Sequence, residues 1–211
     1  MQDKLEKYLY KKYPKLFVNE QKTMKESPMV WGCTCGDGWF FLLDNLCSAI
    51  TKYIEYQHSQ VEYYDDYERN FQSEGASKPY RPDYAYEKVK QVHFDQVKEK
   101  FGSLRIYYTG GDEKIQSMID FAEFLSVSIC EICGKFGYSV GRTAKGWIRS
   151  TCEKCSENDD RERGWKPISS ELEELWKSAM EDKEKNKGKE MKLAFEKIEE
   201  LKMRDTPNAE T

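Results

Sequence analysis

The chain has 211 residues, of which 34 % are charged and 14 % aromatic, and its formal net charge is −4. This length suits one or two domains, and no apolar run approaches the about 20 residues of a membrane span, which excludes a transmembrane helix. The slight negative charge excludes a general binder of polyanions, because such proteins carry an excess of Lys and Arg.

The N-terminal part predicts two helices that flank an irregular stretch. Apolar residues at three- and four-residue spacings favour a helix over Asp3–Tyr13, and Pro14 ends it because the residue before a proline avoids the helical conformation. Lys15–Pro28 is polar and is expected to be irregular. Phe40–Gln57 predicts the second helix, with a wide apolar stripe made of Trp39, Leu42, Leu43, Leu46, Ala49, Ile50, Tyr53 and Ile54.

A Gly-Asp-Gly-Trp segment precedes the second helix. Asp37 stands where an N-cap residue belongs, with Gly36 and Gly38 on either side. The alternative is functional, with Asp37 as an exposed carboxylate beside the ring of Trp39. Both Asp37 and Trp39 are therefore candidate binding residues.

Tyrosines and acidic residues dominate the stretch from about 58 to 84, whose second half is rich in Ser, Gly and Pro. This composition predicts a long connection, partly disordered or forming an exposed excursion. We interpret it as a tyrosine-rich insert in the body of the protein.

A β-hairpin and a third helix follow. Apolar alternation predicts two strands within 86–108 around a turn at 100–103, and the shifted spacing between Val89 and Val92 indicates a bulge or a late strand start. Asp112 is expected to cap a helix over about 113–127, because it directly precedes a periodic apolar run. That helix leads into the first cysteine pair without a flexible linker.

Charged residues surround the hairpin turn and form a second group of candidates, namely Lys98, Glu99, Lys100 and Arg105. Alternation puts the two lysines on one face of the strand and Glu99 on the other, while the position of Arg105 depends on the register. One interpretation is an edge hairpin protected by charge. The other is a small cationic site for phosphate or carboxylate groups.

The strongest chemical signal is two C-x-x-C pairs with eighteen residues between them. This is the spacing of a zinc ribbon, with Cys130, Cys133, Cys152 and Cys155 as the predicted ligands. Gly134 and Gly137 permit the positive φ angles that a tight metal-binding turn often needs. No signal peptide is visible, so we expect a reducing cytoplasmic compartment, where such pairs bind metal. Four thiolates fill a tetrahedral site, and the zinc is therefore expected to be structural.

The other cysteines offer no second metal site. Cys33 and Cys35 form a C-x-C pair that lacks a partner pair, and we interpret them as free thiols. Cys47 lies on the apolar face of the second helix and is expected to be a buried small hydrophobe.

The predicted ribbon also carries a basic group made of Lys135, Arg142, Lys145 and Arg149. A solvated face is one interpretation of these charges, and contact with nucleic-acid phosphates is the alternative.

The composition changes after Cys155. The segment from Ser156 carries 16 acidic and 12 basic residues, with apolar stripes around 172–180 and 191–201 that predict a charged helical tail. An isolated charged helix of this length is marginal, so the second stripe is expected to dock on the body, on a partner or on a second copy of the chain. The predicted parts are a body over 1–128, a zinc ribbon over 129–156 and the tail over 157–211.

Several segments between Trp31 and Cys155 form a distinctive combination: GDGW at 36–39, QVKEKFGSLRIYY at 96–108, Ala122-Glu123, Ser126, the first C-x-x-C-Gly, and Gly146-Trp147. This combination resembles a family of small uncharacterised proteins found mainly in bacteriophages and prophages. The resemblance implies an origin and a domain extent, not a mechanism. The positions that it makes the first to test are Asp37, Trp39, Lys98, Glu99, Lys100, Gly102, Arg105 and Glu123.

Motifs for catalysis are weak in this sequence. His93 and Asp95 share a strand face, but a lone His-x-Asp is a poor indication of nucleophilic catalysis. The sequence contains no P-loop, no H-E-x-x-H, no G-x-S-x-G and no zinc-deaminase motif.

The sequence therefore predicts an α+β fold: a small antiparallel hairpin or sheet with packed helices, an appended zinc ribbon and a helical C-terminal tail. The leading hypothesis is a non-enzymatic, phage-encoded interaction protein that binds a host macromolecule in the host cytoplasm, in host takeover or against host defence. The sequence also leaves open whether the chain forms a homodimer.

Two alternatives remain, and the structure should discriminate them. A continuous positive surface would favour a zinc-ribbon nucleic-acid binder. One pocket shared by Asp37, Lys98, Glu99 and Arg105 would favour a small-ligand-binding protein or hydrolase. An exposed apolar or aromatic patch would favour the interaction protein.

Overall fold

The computed structural model describes residues 1–71, 80–85, 87–137, 140–156 and 162–167, with positions 174, 178, 181–186 and 189 beyond them. The chain divides into two compact units, Met1–Ile168 and Ser169–Thr211. Within the second unit, residues 181–186 are helical, and the two apolar stripes predicted for the tail lie outside the described residues. No helix in the described part of the chain combines the length and apolar character needed to cross a membrane.

The described residues of the first unit form three α-helices and two three-stranded sheets. The helices are α1 (Asp3–Lys12), α2 (Phe40–Phe71) and α3 (Glu113–Ser126). One sheet contains β1 (Cys33–Thr34), β2 (His93–Lys100) and β3 (Ser103–Thr109), and the other contains β4 (Val140–Arg142), β5 (Ser150–Cys152) and β6 (Lys166–Pro167). The combination of helices with small sheets agrees with the predicted α+β class.

Helix α2 is longer than predicted and continues through the first half of the tyrosine-rich insert. The expected end at Gln57 is wrong because Gln57 and Val61 continue the buried stripe from Ile54 at helical spacing. Residues 58–71 also contain no Gly or Pro that would interrupt the helix. Residues 72–79, the centre of the predicted insert, lie outside the described residues.

The stretch over 15–28 is also more ordered than its polarity suggests. Leu16 and Phe17 are buried in the core, and single 3₁₀ turns lie at Val18–Gln21 and Pro28–Trp31. The N–H of Phe94 donates a hydrogen bond of 2.7 Å to the carbonyl of Leu16. The stretch is irregular apart from these turns, as predicted, but it packs against β2 and is part of the core, which its polarity does not suggest.

The first sheet has the order β1-β2-β3, with β1 parallel to β2 and β3 antiparallel to it. The predicted irregularity is confirmed, since β2 starts at His93 and its register shifts between Phe94 and Gln96. Phe101 and Gly102 form the two-residue turn, with φ angles of 53° and 72°. Positive φ at both residues is the feature of a type I′ turn, the favoured hairpin connection.

Helix α3 covers the free edge of β3. The N-cap prediction is confirmed, because the Asp112 carboxylate accepts hydrogen bonds from the N–H groups of Lys114 and Ile115. At the other end of the helix, Ser126 Oγ accepts from the Leu104 N–H at 2.8 Å, and Glu123 Oε1 accepts from the Ile106 N–H at 2.7 Å. Edge N–H groups that would otherwise be open to another strand are thus satisfied.

The second sheet has the order β5-β4-β6 and carries the cysteine-rich region. The Trp165 side chain packs across the central strand, β4, at Gly141. Its Nε1–H donates a hydrogen bond of 3.0 Å to the Thr151 carbonyl on β5. A Cβ on Gly141 would lie 2.4 Å from the Trp165 ring, so glycine is required at that crossing. The strand that leads to the second cysteine pair, β5, begins at Ser150.

Candidate metal centre

The sulfur atoms of Cys130, Cys133, Cys152 and Cys155 lie within 4.8 Å of one another. The first pair follows α3, and the second pair comes from the end of β5 and the 3₁₀ turn at Glu153–Ser156. The Sγ atoms of Cys133 and Cys152 are 3.7 Å apart. A tetrahedron with metal–sulfur bonds of about 2.3 Å has edges of roughly 3.8 Å, so this spacing fits four-coordinate binding. These four cysteines could hold a metal ion.

The backbone of the first pair, Cys130–Gly134, is a tight turn that we call the knuckle. Gly134 has a φ of 76° and Gly137 a φ of 113°, as the sequence predicts. The Gly134 N–H donates to the Cys130 carbonyl and the Cys130 N–H donates to the Lys135 carbonyl, both at 2.8 Å. These bonds fix the direction in which the first two sulfurs point.

The thiols differ in their environment. Burial raises the pKa of Cys130 and of Cys155. Burial acts in the same sense on Cys133, but the Lys135 N–H and the neighbouring thiols outweigh it and lower its pKa. A bound cation would favour the thiolate at all four positions, because a metal ion is the largest local charge in such a site.

The Gly-Asp-Gly-Trp segment packs directly on the knuckle. The Gly38 N–H donates to the Glu131 carbonyl at 2.8 Å, and the Gly36 N–H donates to Glu131 Oε1 at 2.9 Å. A Cβ on Gly38 would lie 2.1 Å from the Cys130 carbonyl oxygen, and one on Gly36 would lie 2.2 Å from that of Glu131. Both glycines therefore allow backbone to lie against backbone.

The two candidate residues in this segment have structural partners. Trp39 is fully buried, and its Nε1–H donates to the Ile129 carbonyl at 3.0 Å. The predicted N-cap role of Asp37 is wrong: Gly36 occupies the cap position, and Asp37 Oδ1 instead accepts from the Gln2 N–H at 2.7 Å. The cap is not needed, because a 3₁₀ turn at Asp37–Trp39 leads into α2.

Glu131, between two of the cysteines, is a residue that sequence reasoning missed. Its side chain is buried, and Oε2 has no hydrogen-bond partner among the residues that the structure describes. Burial raises the pKa of this carboxyl, and the hydrogen bond from Gly36 opposes the shift. Nothing in the local sequence distinguishes Glu131 from an exposed charge.

The hairpin turn forms a second contact with the cysteine-rich region. Ser150 Oγ donates to the Gly102 carbonyl, and Arg142 donates to the Phe101 carbonyl. A Cβ on Gly102 would come within 3.2 Å of the Ile148 side chain. The region around the metal centre is thus fixed to the body at the knuckle and at the hairpin turn.

The four basic residues predicted on the ribbon are not equivalent. Arg142 is half-buried by its contact with the hairpin turn, and Arg149 is also half-buried. Lys135 and Lys145 are exposed.

The charged residues of the hairpin contact different partners. Lys98 lies opposite Arg105 in the register, and its Nζ is 4.9 Å from the centroid of the Tyr107 ring. Arg105 forms an ion pair of 3.1 Å with Glu123. Glu99 Oε1 accepts from the Gly102 N–H at 2.6 Å.

Two clefts lie beside the hairpin turn, and Phe101 lines both. The first, of about 380 Å³, is lined by Phe101, Ser103, Arg105, Asp120, Glu123, Phe124, Val127 and Arg142. The second, of about 200 Å³, is lined by Glu99, Lys100, Phe101, Gly146, Trp147 and Ile148. Arg105 lines only the first and Glu99 only the second, while Asp37 and Lys98 line neither, so these clefts do not unite the predicted binding residues.

Large exposed aromatic side chains border these clefts. The exposed fractions are 65 % for Phe101, 71 % for Phe124 and 65 % for Trp147. Sequence reasoning missed them as a group because they come from the turn, from α3 and from the loop before β5. We call Phe101, Phe124 and Trp147 the aromatic patch.

The three cysteines outside the cluster agree with their interpretation, Cys33 and Cys35 as free thiols and Cys47 as a buried small hydrophobe. Cys33, Cys35 and Cys47 are buried and form no disulfide. Burial raises the pKa of all three, to about 12 for Cys35. A buried thiol with a raised pKa is protonated and unreactive near neutral pH.

No protein-family model matches this chain, and no curated protein or solved structure is significantly similar to it.

Proposed function

We propose that this chain is a zinc-stabilised, non-enzymatic interaction protein that binds another protein through the aromatic patch. The observation that carries the proposal is the exposure of Phe101, Phe124 and Trp147 around two adjoining clefts. Aromatic side chains of this size dominate the energetics of protein interfaces. The contacts of the turn with Arg142 and Ser150 support a preformed surface, which lowers the entropy cost of binding.

Zinc is the metal that four cysteine thiolates favour, and such a site leaves no position open for substrate. Its role in the proposal is structural, because the knuckle is also the surface on which Gly36 and Gly38 pack. The absence of catalysis is part of the proposal. What supports it is that the only His-x-Asp pair in the sequence has structural partners. His93 Nδ1 is hydrogen-bonded to the Lys15 carbonyl, and Asp95 accepts a hydrogen bond from Asn19.

Elemental analysis of the purified protein tests the metal site. We expect one zinc ion per chain, lost in Cys133→Ser and retained in Cys35→Ser, a matched change of a thiol outside the cluster. Loss of zinc should also lower the thermal midpoint, since metal binding energy contributes to folding in such sites. Full zinc content in Cys133→Ser would contradict the proposed ligand set.

The resemblance to phage and prophage proteins leads us to place the partner in the cytoplasm of a host cell, where binding would interfere with host machinery or defence. Capture from host lysate tests this, with wild type compared with Trp147→Ala and with Phe41→Ala. Phe41 is an exposed aromatic on α2 that lines neither cleft. A host protein captured by wild type and Phe41→Ala but not by Trp147→Ala supports the proposal, and equal capture by all three contradicts it.

A nucleic-acid-binding function is the second candidate. It is favoured by the exposed Lys145, which lies two positions before the exposed Trp147 in the sequence. Lysines can contact phosphates while an aromatic ring stacks on a base. If binding is only non-specific, gel shifts at moderate salt should give a Kd of roughly 10⁻⁴ to 10⁻⁶ M. Nanomolar binding that is lost in the Lys135→Ala, Lys145→Ala double variant would establish this second function.

A further inference from the structure

A separate cleft, of about 260 Å³, lies between α1 and the stretch that precedes β1. It is lined by three carboxylates, those of Asp3, Glu6 and Glu20, and by the rings of Tyr10 and Trp31. No Lys, Arg or His among the described residues lines it. This cleft differs in that respect from the two clefts at the hairpin turn, where acidic and basic residues are mixed.

The three carboxylates of this cleft are not neutralised within the described part of the chain. None of them lies at ion-pair distance from a Lys, an Arg or the Met1 amine. Glu6 Oε1 accepts a hydrogen bond of 2.7 Å from the Cys33 N–H, which is a neutral donor. Burial raises the pKa of Glu6 more than this hydrogen bond lowers it, so the negative charge of Glu6 is poorly compensated.

Cations in the neighbourhood do not remove the imbalance. Lys4, Lys7 and Lys22 are exposed to solvent and do not line the cleft. The Met1 amine is hydrogen-bonded to two backbone carbonyls, and even if it is counted in full it offsets only one of the three negative charges. The cleft therefore carries a net negative charge, and its electrostatic complement is a cation.

The spacing of the carboxylates and the size of the cleft indicate what kind of cation fits. In the described residues, only the four cysteines bring three or more potential ligand atoms close enough to hold one metal ion, so these carboxylates do not form a metal site. The volume of about 260 Å³ is below the about 300–1,000 Å³ of typical small-molecule sites. An organic cation the size of one side chain suits both observations.

The two aromatic residues favour a guanidinium group over an ammonium group. Trp31 is 67 % exposed, and the face of an indole ring is the best aromatic partner for a cation. The buried Tyr10 hydroxyl lies near the Glu6 carboxylate but has no hydrogen-bond partner of ordinary geometry in the described residues. Burial raises the pKa of Tyr10, so its hydroxyl stays neutral and can accept a hydrogen bond. A guanidinium can stack on an aromatic ring while its N–H groups donate to several acceptors.

We propose that this cleft binds an arginine side chain presented by a basic segment of a partner protein. The guanidinium group stacks on Trp31 and donates to Glu6 and to the Tyr10 hydroxyl, and Asp3 and Glu20 attract a flanking Lys or Arg. The inference adds a second interaction site to the proposed function and does not depend on the aromatic patch.

Selection from a random twelve-residue peptide display library tests the inference, with the full-length protein as the bait. Trp31→Ala is the counter-selection bait, and an unchanged thermal midpoint would verify that it folds. Trp147→Ala is the matched control, because Trp147 is 65 % exposed and lines a different cleft. We expect wild type and Trp147→Ala to enrich peptides that contain Arg among other basic residues, and Trp31→Ala not to enrich them.

The affinities of one selected peptide for further variants provide the quantitative test. Trp31→Ala should weaken binding about tenfold or more, as for an interface residue of high energetic weight. Glu20→Gln should weaken it about threefold, with a smaller effect at high salt. Glu55→Gln changes an exposed carboxylate on α2 that does not line the cleft, and it should bind within about twofold of wild type. Citrulline in place of the peptide's arginine should weaken binding about tenfold, because the charge is lost and the shape is kept.

Tyr10→Phe separates a binding role of the hydroxyl from a structural one. The variant should bind the peptide about tenfold more weakly, because an acceptor for a charged donor is lost. The free protein should be at least as stable in urea as wild type, because the removed hydroxyl has no hydrogen-bond partner among the described residues. A less stable free protein with unchanged peptide affinity would refute the proposed contact.

The outcomes of the selection distinguish this inference from the proposed function. Peptides that are lost in Trp147→Ala but kept in Trp31→Ala belong to the aromatic patch, which refutes the inference and leaves the proposed function standing. Neutral or acidic peptides, the same peptides with all three baits, or no enrichment also refute it. If spermidine displaces the selected peptide and binds as tightly, the cleft takes a free polyamine and the partner-protein assignment is wrong.

Discussion

Substitution of Gly38 by Ala tests the contact between the start of α2 and the metal centre. The φ of Gly38 is outside the left-handed region, so alanine meets no backbone strain there. The new Cβ would instead lie 2.1 Å from the Cys130 carbonyl oxygen and 2.6 Å from the Gly134 nitrogen. Both are backbone atoms of the knuckle, so a change of rotamer cannot relieve the overlap.

The expected loss of stability follows from two contributions. Overpacking of a tight interface costs about 1–3 kcal/mol. Separation of the two backbones would also break the hydrogen bond from Gly38 to Glu131, worth about 1 kcal/mol. We expect Gly38→Ala to lower the free energy of unfolding by roughly 2–4 kcal/mol with the zinc content unchanged, because the knuckle can shift as a unit.

Urea unfolding of the zinc-loaded protein, followed by tryptophan fluorescence, measures this change. Gly146→Ala is the control, since Gly146 has a φ of 68° and the nearest heavy atom to an added Cβ is 3.9 Å away. That variant should cost only the backbone strain, about 1 kcal/mol. If Gly38→Ala is no less stable than Gly146→Ala, the packing of this segment on the knuckle is refuted.

Three further changes test other parts of the fold. Ser126→Ala leaves the buried Leu104 N–H without an acceptor and should lower the free energy of unfolding in urea by about 1–3 kcal/mol. Burial and a hydrogen bond to the carboxylate that caps α3 raise the pKa of Tyr53 to about 12. The hydrogen bond of Tyr53 therefore contributes fully to the free energy of unfolding below about pH 10, and this contribution is lost as the pH rises towards 12. Between these pH values, the urea midpoint should decline less steeply in Tyr53→Phe than in wild type. A chain that ends after Ile168 should melt cooperatively by circular dichroism, whereas one that ends after Gly164 lacks β6 and should melt lower.

The features that were predictable from sequence are those set by neighbouring residues. The cap at Asp112, the irregular start of β2 and the positive φ of Gly134 each follow from a few adjacent side chains. Each pair of the four cysteines was predictable for the same reason, because C-x-x-C spacing by itself brings two sulfurs together. The outcome in each case depends little on the rest of the fold.

The features that were missed depend on contacts distant in sequence. Leu16 and Phe17 are buried because β2 lies against them, and a polar neighbourhood hides that partner. Asp37 matched a cap pattern, but the chain enters α2 through a 3₁₀ turn that docks on the knuckle. The aromatic patch is likewise assembled from three elements, so no single stretch of sequence displays it.

The contact between Trp39 and Ile129 has a consequence in terms of chain entropy. These residues are 90 positions apart, so their hydrogen bond closes a loop that contains α2, β2, β3 and α3. The entropy cost of closing a flexible loop rises only with the logarithm of its length, about 0.6 kcal/mol for each doubling. About twenty residues inserted between Phe71 and Tyr80 would add only about 0.2 kcal/mol on this scale. On this scale, the docking of the metal centre on the start of α2 depends little on the length of the chain between Trp39 and Ile129.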